Sequence, residues 1–279
     1  MSSQVAFAQE EPAGELVRIE MTDGSEVIGT VVREEEDRLH FRTRGGVEMV
    51  ILKAQISRRT VLTRSQQGKR FLRLDPNRTR LLFSPTARPL QKGHGYFAAY
   101  ELFFPFVSYG LGRGAVIGGG ISLIPGSDTQ VLYFTPKWTV VSSGERHLAV
   151  GALLGFSTGG EGPAGLLYSV GTIGHSEQAL TLGLGFAFAD GQVFSQPIIV
   201  IGAEKQLSQS IKLITENFII PGVNDIDEDF EGVYILTGAV RFFGDAIAAD
   251  LGLITMPDLL KENGFPFIPW IGFAYNFGR

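Results

Sequence analysis

The stretch ALTLGLGFAFAD, residues 179–190, restricts the fold more than any other part of the chain. Written as an extended strand, it separates with period two into a row of large apolar side chains and a row of small ones. Leu180, Leu182, Leu184, Phe186 and Phe188 form the first row; Ala179, Thr181, Gly183, Gly185, Ala187 and Ala189 form the second. A strand with one face in water carries Lys, Glu, Thr or Gln on that face, and here neither row does. Two environments fit: tight packing on both sides, or a bulky face against lipid with the small face lining a narrow barrel lumen. The pattern recurs. Leu148, Val150, Leu154 and Phe156 oppose Ala149, Gly151, Gly155 and Ser157, and Ile247, Ala249, Leu251 and Leu253 oppose Ala248, Asp250 and Gly252.

The composition favours strands, tight turns and an apolar environment. Charged residues make up 19% of the 279 positions, below the roughly 25% usual in soluble domains, and there are 36 glycines. No run of 18 or more purely apolar residues exists, which argues against a transmembrane helix but not against a transmembrane barrel. A net charge of −5 disfavours nucleic acid as a partner. Cysteine is absent, so disulfides, thiolate catalysis and Cys-based metal sites are excluded.

The chain divides in two. Residues 15–75 hold 12 of the 24 Lys and Arg, whereas 17 of the 21 Phe lie after position 96. In the front part, Leu16–Met21, Val27–Val32, Leu39–Phe41 and Val47–Leu52 read as four short strands. Turns at Asp23-Gly24, Glu34–Asp37 and Gly45-Gly46 separate them. Residues 15–57 resemble an SH3-like or Sm-like β module, with TDGSEVIGTV the closest match. The resemblance implies a docking or spacer domain able to engage a periplasmic protein. Residues 1–14, with Ala6-Phe7-Ala8 before an acidic stretch, read as a signal-peptide remnant and disordered N-terminus. Residues 58–77 read as a basic linker.

From residue 78 the period-two pattern returns about every fifteen residues. Twelve strands are expected, the first at 78–89, the second at 96–110 and the last at 266–277. Pro105 and Pro136, together with weak alternation over 210–220, leave a count of ten open. Short joins such as GLGRG, SSGER, GHSEQ, LSQS and FGDA alternate with mostly longer ones, including DGQVFSQ and PGVNDIDEDFEG. The ending WIGFAYNFGR resembles the aromatic C-terminal signal of Gram-negative outer-membrane β-barrels, although Gly278 and Arg279 follow Phe277. Residues 78–279 resemble that class in pattern. The resemblance implies an antiparallel all-β transmembrane barrel in the outer membrane, with the front module and the C-terminus periplasmic and the lipid bilayer as partner.

If the small rows face inward, so do Glu101, Lys137, Glu204, Lys212, Glu216, Arg241 and Asp250. Buried charges need partners, so an interior network is expected, for instance Arg241 with Asp250 and Lys137 with Glu101. It would serve as a polar core or as a pore lining. Tyr133, Trp138, Tyr168, Tyr275 and Phe277 are expected in aromatic girdles on the lipid side. No catalytic residue, metal site or cofactor is assigned. His94 with Ser84 and Glu101 is the one combination for a lipid hydrolase, and no spacing supports it. The acidic loop 224–229 lacks the glycine and closing Glu of a calcium loop. A passive pore or a structural anchor for the module is therefore expected; a soluble ligand-binding barrel is the main rival.

Overall fold

The computed structural model describes residues 15–64, 71–160, 162–222, 232–257 and 266–278, which form two compact units divided between Leu74 and Asp75. The signal-peptide reading of residues 1–14 and the acidic loop 224–229 lie outside the described residues.

The first unit is a six-stranded antiparallel sheet. Its strands are β1 (Leu16–Met21), β2 (Glu26–Glu34), β3 (Arg38–Thr43), β4 (Glu48–Leu52), β5 (Ile56–Arg64) and β6 (Phe71–Arg73), in the order β4-β3-β2-β1-β5-β6. Hairpin turns follow the expected chemistry, with Gly24 and Gly46 both at φ +85°. A 3₁₀ turn at Lys53–Gln55 redirects the chain from β4 into β5, which pairs with β1. Val17, Ile19, Leu39, Phe41 and Ile51 form the core. The expected linker 58–77 is thus largely ordered, supplying most of β5, all of β6 and the start of the second unit.

The second unit is a closed antiparallel barrel, the all-β class expected. Its strands are β7 (Gly95–Tyr100), β8 (Phe104–Gly112), β9 (Ala115–Ile121), β10 (Val131–Phe134), β11 (Lys137–Ser143), β12 (Arg146–Ser157), β13 (Ala164–Gly174), β14 (Gln178–Ala189), β15 (Gln192–Gln206), β16 (Ile211–Ile220), β17 (Val233–Phe243), β18 (Ile247–Thr255) and β19 (Ile268–Phe277). β10 and β11 both lie between β9 and β12 and form one stave interrupted at Thr135-Pro136; with β19 paired to β7, the ring has twelve staves. Closure leaves no unpaired edge for the bilayer to expose.

Two errors in the expected strand list cancel in this count. Residues 78–89 are not a stave, and the single strand placed at 96–110 is two staves, β7 and β8, joined by a tight turn at Glu101–Phe103 where Glu101 and Leu102 adopt φ of 49° and 62°. Expected proline trouble is absorbed locally. Pro136 occupies the break between β10 and β11, and Pro197 lies where the β14–β15 register shifts. Of the joins expected to be long, the one after β14 is only the turn Asp190-Gly191.

Leu180, Leu182 and Leu184 are exposed on the outside at 56%, 57% and 41%, in one belt with Phe97, Trp138, Leu167, Leu251 and Phe273. Thr181 is buried inside. The small residues make room for lumenal neighbours. A side chain at Gly151 would overlap the Tyr168 hydroxyl, and one at Gly202 would overlap Leu81. An apolar belt this extensive on a closed barrel is suited to hydrocarbon rather than water. Leu182→Lys is expected to lower folding stability in lipid vesicles by about 2–4 kcal/mol; a urea titration of the vesicle-bound protein checks this.

Candidate functional site

The barrel is filled on one side by its own chain. Residues Asp75–Leu90, which immediately precede β7, run through the lumen, and within them only Arg78, Phe83, Pro85 and Pro89 are less than buried. The segment folds back at Leu81–Ser84, where the Leu81 amide donates to the Ser84 carbonyl at 2.8 Å and the Thr86 amide to the Thr79 carbonyl at 2.9 Å. Its prolines at 76, 85 and 89 suit irregular backbone and would each interrupt a ladder.

Most of its polar contacts are with charged residues of the wall. Asp250 accepts from Arg241 through both oxygens, at 2.6 Å from Nε and 3.0 Å from Nη2, and from Arg80 Nη1 at 2.9 Å. Asp75 accepts from Arg241 Nη1 at 3.1 Å and Lys212 Nζ at 2.9 Å. Glu204 accepts from Lys212 Nζ at 3.0 Å and also pairs with Arg88. All of these side chains are at most 5% exposed. Sharing carboxylates in this way lets each of these buried charges meet an opposite one.

Glu216 acts differently. Its carboxylate accepts from the Leu82, Phe83 and Ser84 amides at 2.7, 3.1 and 3.0 Å, and from Ser84 Oγ at 2.9 Å. Three successive amides converging on one carboxylate form an anion-binding nest, here gripping the tip of the lumenal segment. On the opposite wall, Lys137 Nζ donates to the Thr86 and Arg88 carbonyls at 2.8 and 2.9 Å, and Thr139 Oγ1 donates to the Ala87 carbonyl at 2.9 Å.

Six of the seven residues expected in a lumenal network thus face the interior: Lys137, Glu204, Lys212, Glu216, Arg241 and Asp250. They meet mainly through the lumenal segment rather than across an open bore. Glu101 is the exception. It sits in the β7–β8 turn, where its carboxylate accepts from the Ile271 amide at 2.9 Å, so the expected Lys137–Glu101 pair does not form. The hydrolase combination also separates, because His94 and Glu101 lie at opposite ends of β7 and Ser84 is bound to Glu216.

Of the expected girdle, Trp138 and Tyr275 face outward at 56% and 48% exposure. Phe277, two residues on from Tyr275 and so on the same face, packs its ring 5.1 Å from Phe97. Tyr133 and Tyr168 are corrections. Period two puts Tyr168 on the same face as buried Val170 and Thr172, and Tyr133 turns inward to stack on Phe106 while donating to the Pro105 carbonyl at 2.9 Å. Both line a cavity of about 150 Å³ beside the lumenal segment. Phe83, Tyr100, Phe106 and Phe218 line it too, and Arg80 and Lys137 belong to its boundary.

The ion pairs lie toward one rim, and the cavity extends from the lumenal segment toward the other. Lys212, Arg241 and Asp250 lie beside the short connections at 207–210 and 244–246. Leu153, Leu166 and Phe218 lie toward the other rim, beside the connections at 158–163 and 221–232. Sequence reasoning missed Asp75, Asn77, Arg80 and Arg88. The signal was present in the closely spaced prolines and in the consecutive Leu81-Leu82-Phe83, which breaks alternation.

No known protein family matches the chain, and no curated protein does. Among solved structures, the chain is similar to a KdgM porin, with a TM-score of 0.49 and 7% identity over 66% of this chain and 98% of that one. It is also similar to Omp33 of Acinetobacter baumannii, with a TM-score of 0.39 and 9% identity over 67% and 96% of the two chains. A loop-deletion form of OmpT, an outer membrane protein of Vibrio cholerae, gives a TM-score of 0.36 and 7% identity over 95% and 97%. On its own geometry, the second unit has the architecture of an outer-membrane β-barrel: antiparallel, closed and apolar on its outer face.

Replacing Asp250 by Ala would leave Arg80 and Arg241 without their shared carboxylate. The expected loss is about 3–5 kcal/mol of stability, the range for breaking a buried ion pair. Glu101→Ala, which removes one exposed acceptor, is expected to lose no more than roughly 1.5 kcal/mol. Urea midpoints of the two variants, measured in parallel, check the ordering.

Proposed function

We propose that this protein is a closed outer-membrane barrel of a Gram-negative envelope that anchors the β module of residues 15–74, and that in its resting form it is not a passive pore. One observation carries the reading: Asp75–Leu90 threads the lumen and is held by six charged wall residues, Glu204, Lys212, Arg241 and Asp250 through ion pairs and Glu216 and Lys137 through its backbone. A water-filled bore needs a lining that hydrates, whereas these groups are saturated by one another and by backbone.

Orientation follows from connection lengths. Outer-membrane barrels keep short turns on the periplasmic rim, and the short connections at 113–114, 144–145, 175–177, 207–210 and 244–246 share a rim with the start of β7 and the end of β19. This supports a periplasmic location for the module and the C-terminus, although the joins at 101–103 and 190–191 on the other rim are short as well. The module's strand order, with β5 returning to β1 after a 3₁₀ turn, fits the SH3-like reading, and a docking role toward a periplasmic protein rests on that resemblance alone.

In a planar lipid bilayer the intact protein is expected to give no steady conductance steps. A variant lacking residues 76–89, with the twelve staves intact, is expected to conduct. Steady steps from the intact protein at low voltage would contradict the anchor reading and favour the passive-pore one.

A further inference from the structure

The cavity beside the lumenal segment has a composition that neither an anchor nor a water-filled pore requires. Its walls are apolar and aromatic, and Phe83, at the tip of the lumenal segment, presents a 46% exposed ring to it while touching Tyr100 edge-on at 5.7 Å. A chamber of this volume with mostly apolar walls has room for a compact apolar group about the size of a benzene ring. Yet two cations belong to its boundary.

Arg80 is 1% exposed and spends only Nη1 on Asp250 and carbonyl oxygens. Its Nε and Nη2 make no hydrogen bond among the described residues, and its guanidinium lies 5.2 Å from the centre of the Tyr100 ring. Lys137, 7% exposed, has two carbonyl partners and no carboxylate among the described residues. The wider balance has the same sign. Arg80, Arg88, Lys137, Lys212 and Arg241 face Asp75, Glu204, Glu216 and Asp250, and Glu216 is directed at backbone amides. A buried guanidinium with unfilled donors beside an aromatic chamber is a receptor for a group that has both an apolar body and an acceptor oxygen.

We infer that the lumenal cavity binds a small monocarboxylic acid with an apolar or aromatic body, the ring or short chain lying among Tyr100, Phe106, Tyr133 and Tyr168 and the carboxylate directed at Arg80 and Lys137. The cavity volume limits the body to roughly one ring or a chain of similar bulk. The inference does not depend on whether the barrel conducts.

Benzoate is the probe and benzyl alcohol its uncharged counterpart, both titrated calorimetrically into the full-length protein in lipid nanodiscs. Benzoate is expected to bind saturably and about tenfold or more tighter than the alcohol. Val200→Phe, which pushes a ring into the cavity from β15 without touching a charged group, is expected to abolish binding of both. Lys137→Met, which leaves Arg80 in place, is expected to narrow the difference between benzoate and the alcohol. Absence of saturable benzoate binding, equal affinity for the two probes in the wild type, or binding unchanged by Val200→Phe would each overturn the assignment. The wild-type comparison of the probes keeps the inference falsifiable if either variant fails to fold.

Discussion

The compensation of buried charge between the barrel wall and the segment that runs through it underlies the rest of the structure. Arg241 on β17 and Asp250 on β18 are directly paired across adjacent strands, and each also reaches the lumenal segment, Arg241 through Asp75 and Asp250 through Arg80. Neither half is complete alone. An empty barrel would hold Lys212 and Glu216 without their lumenal partners, and a free segment would have nothing to bind Asp75 or Arg80. Seating of the segment therefore stabilises wall and segment together. The segment comes from just before the first stave, so the closing pair β7–β19 and the filled lumen are linked by a few residues of chain.

The same constraint explains the division of the interior. Charge is concentrated near the short-connection rim, where Glu204, Lys212, Arg241 and Asp250 stand close to strand ends. Farther along the staves the inward row changes from charged to aromatic, and glycines such as Gly151 provide the space into which rings such as Tyr168 lean. The ion pairs thereby hold the lumenal segment near one rim, and a mostly apolar chamber lies beside it. Outside, the row of Leu and Phe is continuous over both halves, because the bilayer makes the same demand at each.

Much of the barrel was legible because alternation is a local signal. Leu182 outward and Thr181 inward follow from period two alone, as does the inward placement of Lys212, Arg241 and Asp250 once the bulky row is assigned to lipid. What was not legible depended on contacts far apart in sequence. Leu81 and Leu82 are apolar enough to pass for strand residues, and nothing local says that they lie inside a ring built from residues 95–277. Glu101 misled because a turn, not a strand, follows Tyr100; its positive φ is a property of the tight β7–β8 connection. Tyr133 and Tyr168 misled for a different reason. Aromatics suit lipid interfaces and packed lumens equally, and only the glycines opposite them, Gly120 and Gly151, distinguish the two.

The tip of the lumenal segment is locked to Glu216 rather than loosely inserted. Amide hydrogen exchange at Leu82, Phe83 and Ser84 in the lipid-embedded protein tests it most directly. The account predicts protection comparable to that of neighbouring stave amides such as those of Val240 and Leu251, lost in Glu216→Ala. Exchange of the three amides at the rate of an unstructured loop, with the staves fully protected, would contradict it.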